Sequence, residues 1–397
     1  MRSRPSRSPS RSRRRPGSRS PPRSRPQAQN LVPSGGNQLV CFPGGGTFFW
    51  WQLGAATALL ELYDLSGVFL SGISAGALAA TLSLCKVDPL EAHRVAFTLA
   101  DDAGVFRNPL GLAFKWGRLV ESWLRTLLPE DAGRRCDGAA AIVMTAFAPW
   151  PRAECVTRFD SREQLIACLM ASTHIPFFMD GRFGRRLEGG ALLEADERDD
   201  EQPHEAPIRA SRRAKPVLVA DGGILEFFGV RSQHSLLTHG TPRDASTLVL
   251  DPMRDDVFMA ACAEHGWSML KPEGADQFIA YGRAFVERHA ALGATGQLKP
   301  LEGRLRSEAR GRVAQWRRDA SVRTKVGGGG GQVCGAHTAV TSVASLPSSR
   351  LYFMSSLLRV ADGVSMRGYA LRAVVLTLTA LAPLLAVLAL YTPRLSA

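Results

Sequence analysis

The most constraining feature of this sequence is an alternation of strand-like and helix-like segments between residues 39 and 85. Apolar residues 39–42 predict a buried strand that ends in a glycine turn, Gly44-Gly45-Gly46, and a helix-like run follows from Phe48 to Tyr63. A second strand-like stretch, 67–71, leads through a sharp turn into another helix-like run. This alternation is typical of a mostly parallel sheet with helices on both faces. The sequence therefore predicts an α/β fold with three α/β/α layers.

The turn after the second strand is Gly72-Ile73-Ser74-Ala75-Gly76, a G-x-S-x-G sequence. In a strand-turn-helix context this pattern lifts the serine hydroxyl above the sheet edge, and Gly72 and Gly76 relieve the crowding of the strained backbone. Ser74 is therefore the first candidate nucleophile. Further strands are predicted at 140–145, 216–220 and 247–250.

The net charge of +13 is concentrated at the N-terminus. Ten arginines and no acidic residue lie in residues 1–26, so the rest of the chain carries only about +3. Residues 1–36 are rich in Arg, Ser and Pro, and we expect them to be disordered. Three interpretations of this tail remain open: a solvated spacer, an organelle transit peptide, and a basic arm that contacts RNA or a membrane surface. No folded nucleic-acid-binding module accompanies it, so we do not expect a nucleic-acid partner.

The seven cysteines are widely spaced and include no C-x-x-C pair, which argues against a disulfide framework and against a zinc site. No run of carboxylates has the spacing of a calcium loop. We therefore expect mostly reduced core cysteines, and neither a metal nor a diffusible cofactor.

A folded domain is predicted over residues 37–295, with an exposed acidic loop insert at 188–207. Within it, aromatic and aliphatic residues recur at near-helical spacing over residues 87–129. Two interpretations stay open for that stretch: ordinary core-facing helices, or a cap that lines an apolar groove for acyl chains.

Residues 296–350 are predicted to form a basic helix followed by a flexible linker at the five glycines 327–331. Residues 351–397 contain nineteen uncharged residues, 373–391, which are long enough to cross a bilayer as one helix. Arg367, Arg372 and Arg394 flank this span, and the excess of basic residues on its N-terminal side places the domain on the cytoplasmic-type face. A buried C-terminal core helix is the alternative.

Two further segments complete a candidate site. The amides of Gly44, Gly45 and Gly46 lie unobstructed before a helix, where backbone N–H groups and the helix dipole favour negative charge. Asp221 follows the buried strand 216–220, which we expect to deliver Asp221-Gly222-Gly223 to the same carboxyl edge of the sheet as Ser74.

The glycine turn, the elbow and the Asp-Gly-Gly sequence occur in an order and spacing that resemble the patatin-like phospholipase family. Ser172-Thr173-His174-Ile175-Pro176-Phe177-Phe178 also looks like the family's small-residue helix end and Ile-Pro turn, and the helix around Tyr281-Gly282 is weakly similar. The resemblance covers roughly residues 38–290. It implies a lipid acyl hydrolase in which Ser74 is the nucleophile, Asp221 takes its proton, and the amides of Gly44, Gly45 and Gly46 form the oxyanion hole.

The resemblance further implies a glycerolipid or phospholipid substrate and a membrane or lipid-droplet surface as partner, with the oligomeric state left open. Many members have a basic residue and a glycine soon after the glycine turn, whereas this chain has Thr47-Phe48-Phe49-Trp50. This arrangement looks closer to the triacylglycerol-lipase branch of the family. It leaves open how the glycine turn is held in place.

Alternatives remain at the level of chemistry. A Ser-His-Asp triad would require a histidine after the acid, and His234, His239, His265 and His289 are available, although none has a recognisable catalytic context. His174 is interpreted as a structural residue beside the site. The alternative functions are a lipid transacylase and a catalytically silent lipid-binding or tethering protein on the same scaffold.

Overall fold

The computed structural model describes residues 38–105, 114–148, 150–187, 216–241, 245–265 and 272–326. The predicted N-terminal tail, the acidic insert at 188–207, the glycine linker and the span at 373–391 lie outside these ranges. Within them, no helix is both long enough and apolar enough to cross a membrane.

The described residues form strands and helices in alternation along the first part of the chain. The strands are β1 (Gln38–Phe42), β2 (Val68–Ile73), β3 (Ala140–Ala146), β4 (Arg152–Val156), β5 (Arg185–Leu187), β6 (Val217–Asp221) and β7 (Ser246–Val249). The helices are α1 (Phe49–Leu62), α2 (Ala75–Leu84), α3 (Pro89–Asp102), α4 (Trp116–Leu127), α5 (Ala132–Cys136), α6 (Arg162–Ser172), α7 (Ile224–Phe227), α8 (Gln233–Leu237), α9 (Asp256–His265), α10 (Pro272–Leu292) and α11 (Ser307–Val326). All five strands predicted from the sequence are present, and β4 and β5 were not predicted.

The strands form one mixed sheet in which hydrogen-bonded neighbours follow one another as β5-β6-β3-β2-β1-β7, with β4 also paired to β3. The pairs β1–β2, β1–β7 and β2–β3 are parallel, whereas β3–β4, β3–β6 and β5–β6 are antiparallel. The prediction of an α/β fold is confirmed, but a mostly parallel sheet describes only the half that carries the elbow. The other half differs because the connection from β3 to β4 is a short turn, and a short turn can join only antiparallel neighbours.

Helices cover the two faces of the sheet unequally. On one face, Val40, Leu70 and Ile142 belong to two large apolar clusters that also contain residues of α1, α2, α6 and α10. On the other face, Ile73 and Val143 belong to a smaller cluster with residues of the short helices α7 and α8.

The stretch 87–129 supplies core-facing helices where it is described. Val95 of α3 and Trp123 and Leu124 of α4 are buried in the cluster that packs on β3, and the Trp123 indole donates a hydrogen bond to the carbonyl of Ala92. This supports the core interpretation for α3 and α4. Residues 106–113, between the two helices, lie outside the described ranges.

The packed structure continues beyond the predicted domain boundary at 295. Leu298, Leu301 and Val313 are buried in the same cluster as α1, and Arg306 donates its backbone N–H to the carbonyl of Leu62. The predicted boundary is therefore wrong at this end. The sequence after residue 295 is mostly basic, and only a few apolar residues, such as Ala309 and Val313, recur at helical spacing in α11, so the packing of this segment was not predicted.

Candidate functional site

Ser74 occupies a sharp turn between β2 and α2. Its backbone has φ 53° and ψ −122°, a conformation that residues with a Cβ rarely adopt. The turn requires glycine on both sides of Ser74, because neighbouring backbone atoms approach Gly72 and Gly76 too closely for a Cβ. A Cβ on Gly76 would lie 2.1 Å from the carbonyl oxygen of Phe42, and one on Gly72 would lie 2.4 Å from the amide nitrogen of Ala77. The G-x-S-x-G sequence is thus a steric requirement of this turn.

Asp221 reaches Ser74 because β2 and β6 meet end to end along one edge of β3. β2 pairs with β3 as far as Val143, and β6 pairs with β3 from Met144 onward, opposite Asp221. β4 overlaps both pairings and therefore occupies the other edge of β3. Since β6 runs antiparallel to β3, its carboxyl end points at the carboxyl end of β2. The structure thus brings Asp221 and Ser74 together, but through an antiparallel strand and not through the parallel one that the sequence led us to expect.

The Asp221 carboxyl group is held in an environment that favours its neutral form. Burial raises its pKa to about 6, although hydrogen bonds from the Ser74 hydroxyl and from the N–H of Gly223 partly oppose that rise. The Gly223 N–H lies 2.8 Å from Oδ1 of Asp221, and the Asp221 N–H donates to the carbonyl of His174 at 3.0 Å. At neutral pH this carboxylate is ionised, poorly solvated and in contact with a hydroxyl.

The glycine turn lies beside Ser74. A Cβ on Gly44 would be 3.9 Å from the Cβ of Ser74, while one on Gly46, at φ +52°, would meet nothing within 4 Å. Among the described residues, no acceptor for the amide N–H of Gly44, Gly45 or Gly46 is recorded. The turn precedes α1, so its N–H groups lie at the positive end of a helix. An oxyanion formed at Ser74 would find donors on this side.

Two buried side chains that the sequence did not single out hold these parts together. The Ser172 hydroxyl accepts the N–H of Ser74 at 3.0 Å and donates to the carbonyl of Val143 at 2.6 Å, while the Ser172 carbonyl accepts the N–H of Gly222 at 3.3 Å. One residue thus joins the elbow, β3 and the Asp-Gly-Gly turn. It lies in the segment 172–178, which was noted only for its resemblance.

The second is Gln52 of α1, which anchors the glycine turn. Its Nε2 donates to the carbonyl of Pro43 at 2.7 Å, and a Cβ on Gly45 would lie 3.0 Å from its Oε1. Gln52 is fully buried, and its Oε1 has no hydrogen-bond partner among the described residues. This amide explains how the turn is held when the residues after it, 47–50, are hydroxyl and aromatic residues.

These features lie within a stretch that a family model for patatin-like phospholipases matches, residues 40–232. This part of the chain is a patatin-like phospholipase domain. No curated protein matches the chain. Among solved structures, it is similar to the heterodimeric complex ExoU-SpcU from the type III secretion system of Pseudomonas aeruginosa, at 17% identity and a TM-score of 0.26. That match covers 82% of this chain and 66% of the solved chain, and so weak a likeness does not bear on the fold.

Among the described residues, no histidine forms a triad with Ser74 and Asp221. His234 and His239 have no recorded hydrogen bond to Ser74 or Asp221 among the described residues, and neither does His289, which lies beyond the family match. The side chain of His265 is not among those that the structure describes. His174 is fully buried, with its Nε2 3.1 Å from the carbonyl of Arg182, and burial lowers its pKa. The contact of His174 with the site is through its backbone carbonyl, which accepts the N–H of Asp221.

The described part of the patatin-like domain has exposed apolar side chains close to the site. Of nine strongly exposed large hydrophobic residues in the described ranges, five lie in loops or the short helix α7 of this domain. We call these five the apolar rim: Phe114, Trp150, Ile175, Phe227 and Val230. Ile175 follows His174, whose carbonyl binds Asp221, and α7 carries Phe227 just after the Asp-Gly-Gly turn.

No group of His, Cys, Asp and Glu in the described ranges could hold a metal ion.

Proposed function

We propose that this protein is a lipid acyl hydrolase of the phospholipase A or acylglycerol lipase type, which cleaves glycerolipid esters through an acyl-Ser74 intermediate. The observation that carries the proposal is the hydrogen bond from the Ser74 hydroxyl to the Asp221 carboxylate at a strained elbow. A serine becomes a nucleophile when a positioned base accepts its proton. Asp221 is the group in contact with that hydroxyl.

In the acylation step, Asp221 accepts the proton of Ser74 while Oγ attacks the carbonyl carbon of the lipid ester. The raised pKa of Asp221, about 6, brings its carboxylate closer in basicity to the task than an ordinary aspartate. The tetrahedral intermediate then collapses, the acyl group stays on Oγ, and the protonated Asp221 returns the proton to the departing alcohol.

The negative charge of the tetrahedral intermediate falls on the former carbonyl oxygen. The amide N–H groups of Gly44, Gly45 and Gly46 are the proposed donors, because they adjoin Ser74 and Gln52 fixes the turn that presents them. Preorganised donors of this kind are often the largest single contribution to such catalysis.

In the deacylation step, Asp221 is again a carboxylate and removes a proton from water, which attacks the acyl-serine. The fatty acid leaves and Ser74 recovers its proton from Asp221. Because the same carboxyl group acts as base and acid in both halves of the reaction, no further titratable residue is required.

The proposed partner is a lipid surface. The apolar rim exposes three aromatic rings and two aliphatic side chains, of which Ile175 and Phe227 follow segments that contact Asp221, and aromatic residues favour the interface between water and lipid. The anchor at 373–391 and its orientation remain predictions that the described residues do not test.

The test is the loss of activity in Ser74→Ala, with Ser122→Ala as the matched control on the exposed surface of α4. We expect Ser74→Ala to lose both ester hydrolysis and labelling by a serine-directed phosphonate, while Ser122→Ala retains both. Turnover by Ser74→Ala, or a wild-type protein that cleaves no ester and takes no label, would refute the proposal and favour a silent lipid-binding scaffold. Product analysis with a labelled acceptor lipid separates hydrolysis from acyl transfer.

A further inference from the structure

An arginine-lined depression lies next to the strand pair β5–β6. It is an open depression with a volume of about 350 Å³, and its lining residues are Arg182, Gly184, Arg185, Arg186 and Leu218. This volume is at the small end of the range of about 300–1,000 Å³ that is usual for ligand pockets. Gly184 keeps it open, because a Cβ there would lie 3.2 Å from Cδ1 of Leu218 and 2.7 Å from the carbonyl oxygen of Val219.

The charges around this depression are unbalanced. Asp180 is the one carboxylate recorded against its arginines in the described ranges, with Oδ2 3.6 Å from Nη2 of Arg185 and Oδ1 accepting the backbone N–H of Arg182. The guanidinium groups of Arg182 and Arg186 have no recorded ion pair with a described carboxylate, and Nε of Arg185 is buried without a partner. Three arginines against one recorded carboxylate leave an excess of positive charge, which favours an oxyanion ligand with several acceptor oxygens, and phosphate fits best.

The depression is connected to the candidate site. Leu218 precedes Asp221 by three residues on β6, which corresponds to about 10 Å at the usual rise of a strand. The carbonyl of Arg182 also accepts hydrogen bonds from the N–H of Phe177 and from Nε2 of His174, and the carbonyl of His174 in turn accepts the N–H of Asp221. In a glycerophospholipid, only the glycerol separates the acyl ester from the phosphate. A lipid with its ester at Ser74 therefore has its phosphate within reach of long arginine side chains from β5.

We propose that this depression binds the phosphate of a glycerophospholipid while the acyl ester occupies the site at Ser74. The inference rests on the proposed acyl hydrolase function and narrows its substrate class from glycerolipids in general to those that carry phosphate. Free phosphate presents the same oxygens, so the experiment must distinguish the lipid headgroup from the inorganic ion.

The experiment compares two esters in four proteins. The esters are phosphatidic acid in neutral detergent micelles and a short neutral p-nitrophenyl ester. The proteins are wild type, Arg182→Gln/Arg186→Gln, the charge-retaining Arg182→Lys/Arg186→Lys, and Arg310→Gln/Arg312→Gln, which removes the same charge from exposed positions on α11. We expect the first double variant to lose about tenfold or more of kcat/KM on phosphatidic acid, with less than about a twofold change on the neutral ester. The lysine variant should retain part of the phosphatidic acid activity, and the α11 variant all of it.

An equal loss on both esters would show that the arginines only support the fold, and no loss on either would show that the depression is not used; both results overturn the inference. Binding of inorganic phosphate to Ser74→Ala, measured by calorimetry, is a separate arm. If phosphate binding depends on Arg182 and Arg186 but wild-type cleavage of phosphatidic acid does not, the site belongs to the free ion and the lipid assignment fails. If wild type cleaves neither ester, the proposed function fails, and the phosphate arm still decides whether the arginines form an anion site.

Discussion

Ser74 and Asp221 meet because the strands that carry them end head to head along the same edge of β3, with Val143 paired to β2 and Met144 paired to β6. Ser172 reinforces the junction, since its hydroxyl binds the elbow and its carbonyl binds the Asp-Gly-Gly turn. The contact between hydroxyl and carboxylate therefore depends on a strand junction in the middle of the sheet, where packing on both faces limits movement. Rigid elements position catalytic groups more accurately than loops do.

The pH dependence of hydrolysis should follow Asp221. Its pKa is raised to about 6, and the base must be ionised, so kcat/KM on a neutral ester should fall about tenfold per pH unit below that value and level off above it. A stopped-flow or steady-state profile measured on a neutral ester gives the midpoint. A midpoint near that of an ordinary aspartate would contradict a buried base.

Asp221→Asn should inactivate the enzyme yet stabilise the fold at neutral pH. The unfolded carboxyl ionises near its ordinary pKa of 3.8 and the folded one near 6, so the folded state retains a proton that the unfolded state releases. Stability therefore decreases as pH rises between these values, and the cost is fully present above about pH 6, where it reaches up to roughly 3 kcal/mol. Urea unfolding should show the variant more stable by up to this amount at about pH 7 and nearly equal to wild type at about pH 3, below both pKa values. If the difference in the free energy of unfolding is the same at both pH values, the stabilisation comes from the shape of the new side chain and not from the loss of the ionisable group.

The sequence singled out Ser74, Asp221 and the glycine turn, because each of them lies in a local pattern of a strand that ends in glycines or a polar residue. It did not predict the direction of β6 or the presence of β5, a strand of three residues, Arg185–Leu187. Strand direction is set by pairing with β3, a contact distant in sequence. Ser172 and Gln52 were also missed, because a buried polar side chain in an apolar helix has a role only once its long-range hydrogen-bond partner is known.

Gly76→Ala should destabilise the domain strongly. The added Cβ would lie 2.1 Å from the carbonyl oxygen of Phe42, which belongs to the central strand β1 and cannot easily move. We expect a loss of about 3 kcal/mol or more in the free energy of unfolding. Gly303→Ala is the matched control, because a Cβ there meets nothing within 4 Å, and it should change stability by less than about 0.5 kcal/mol. Similar losses in the two variants would contradict a specific steric role for Gly76.

Ser172→Ala should lower kcat more than it raises KM. The change removes the acceptor for the N–H of Ser74 and the donor to Val143, which costs about 1–3 kcal/mol in stability and loosens the elbow against β3. Thr173→Val is the control: it loses only a hydrogen bond within α6, to the carbonyl of Leu169. Steady-state kinetics and thermal unfolding on both variants separate the two effects. If Thr173→Val lowers kcat as much as Ser172→Ala does, general destabilisation is the cause.

Gln52→Ala tests whether the anchored glycine turn serves the oxyanion. Without the amide, the carbonyl of Pro43 loses its buried donor and the turn at Gly44–Gly46 is no longer held against α1. Because loss of one oxyanion donor costs about 10²–10³ in kcat, displacement of the whole turn should lower kcat by at least about tenfold and leave KM nearly unchanged. The decisive measurement is the affinity for a trifluoromethyl ketone, whose adduct with Ser74 carries an oxyanion: it should weaken in parallel with kcat/KM. A merely structural role gives no reason for the ketone affinity and kcat/KM to change together. If kcat falls and the ketone binds as tightly as before, Gln52 does not act on the oxyanion.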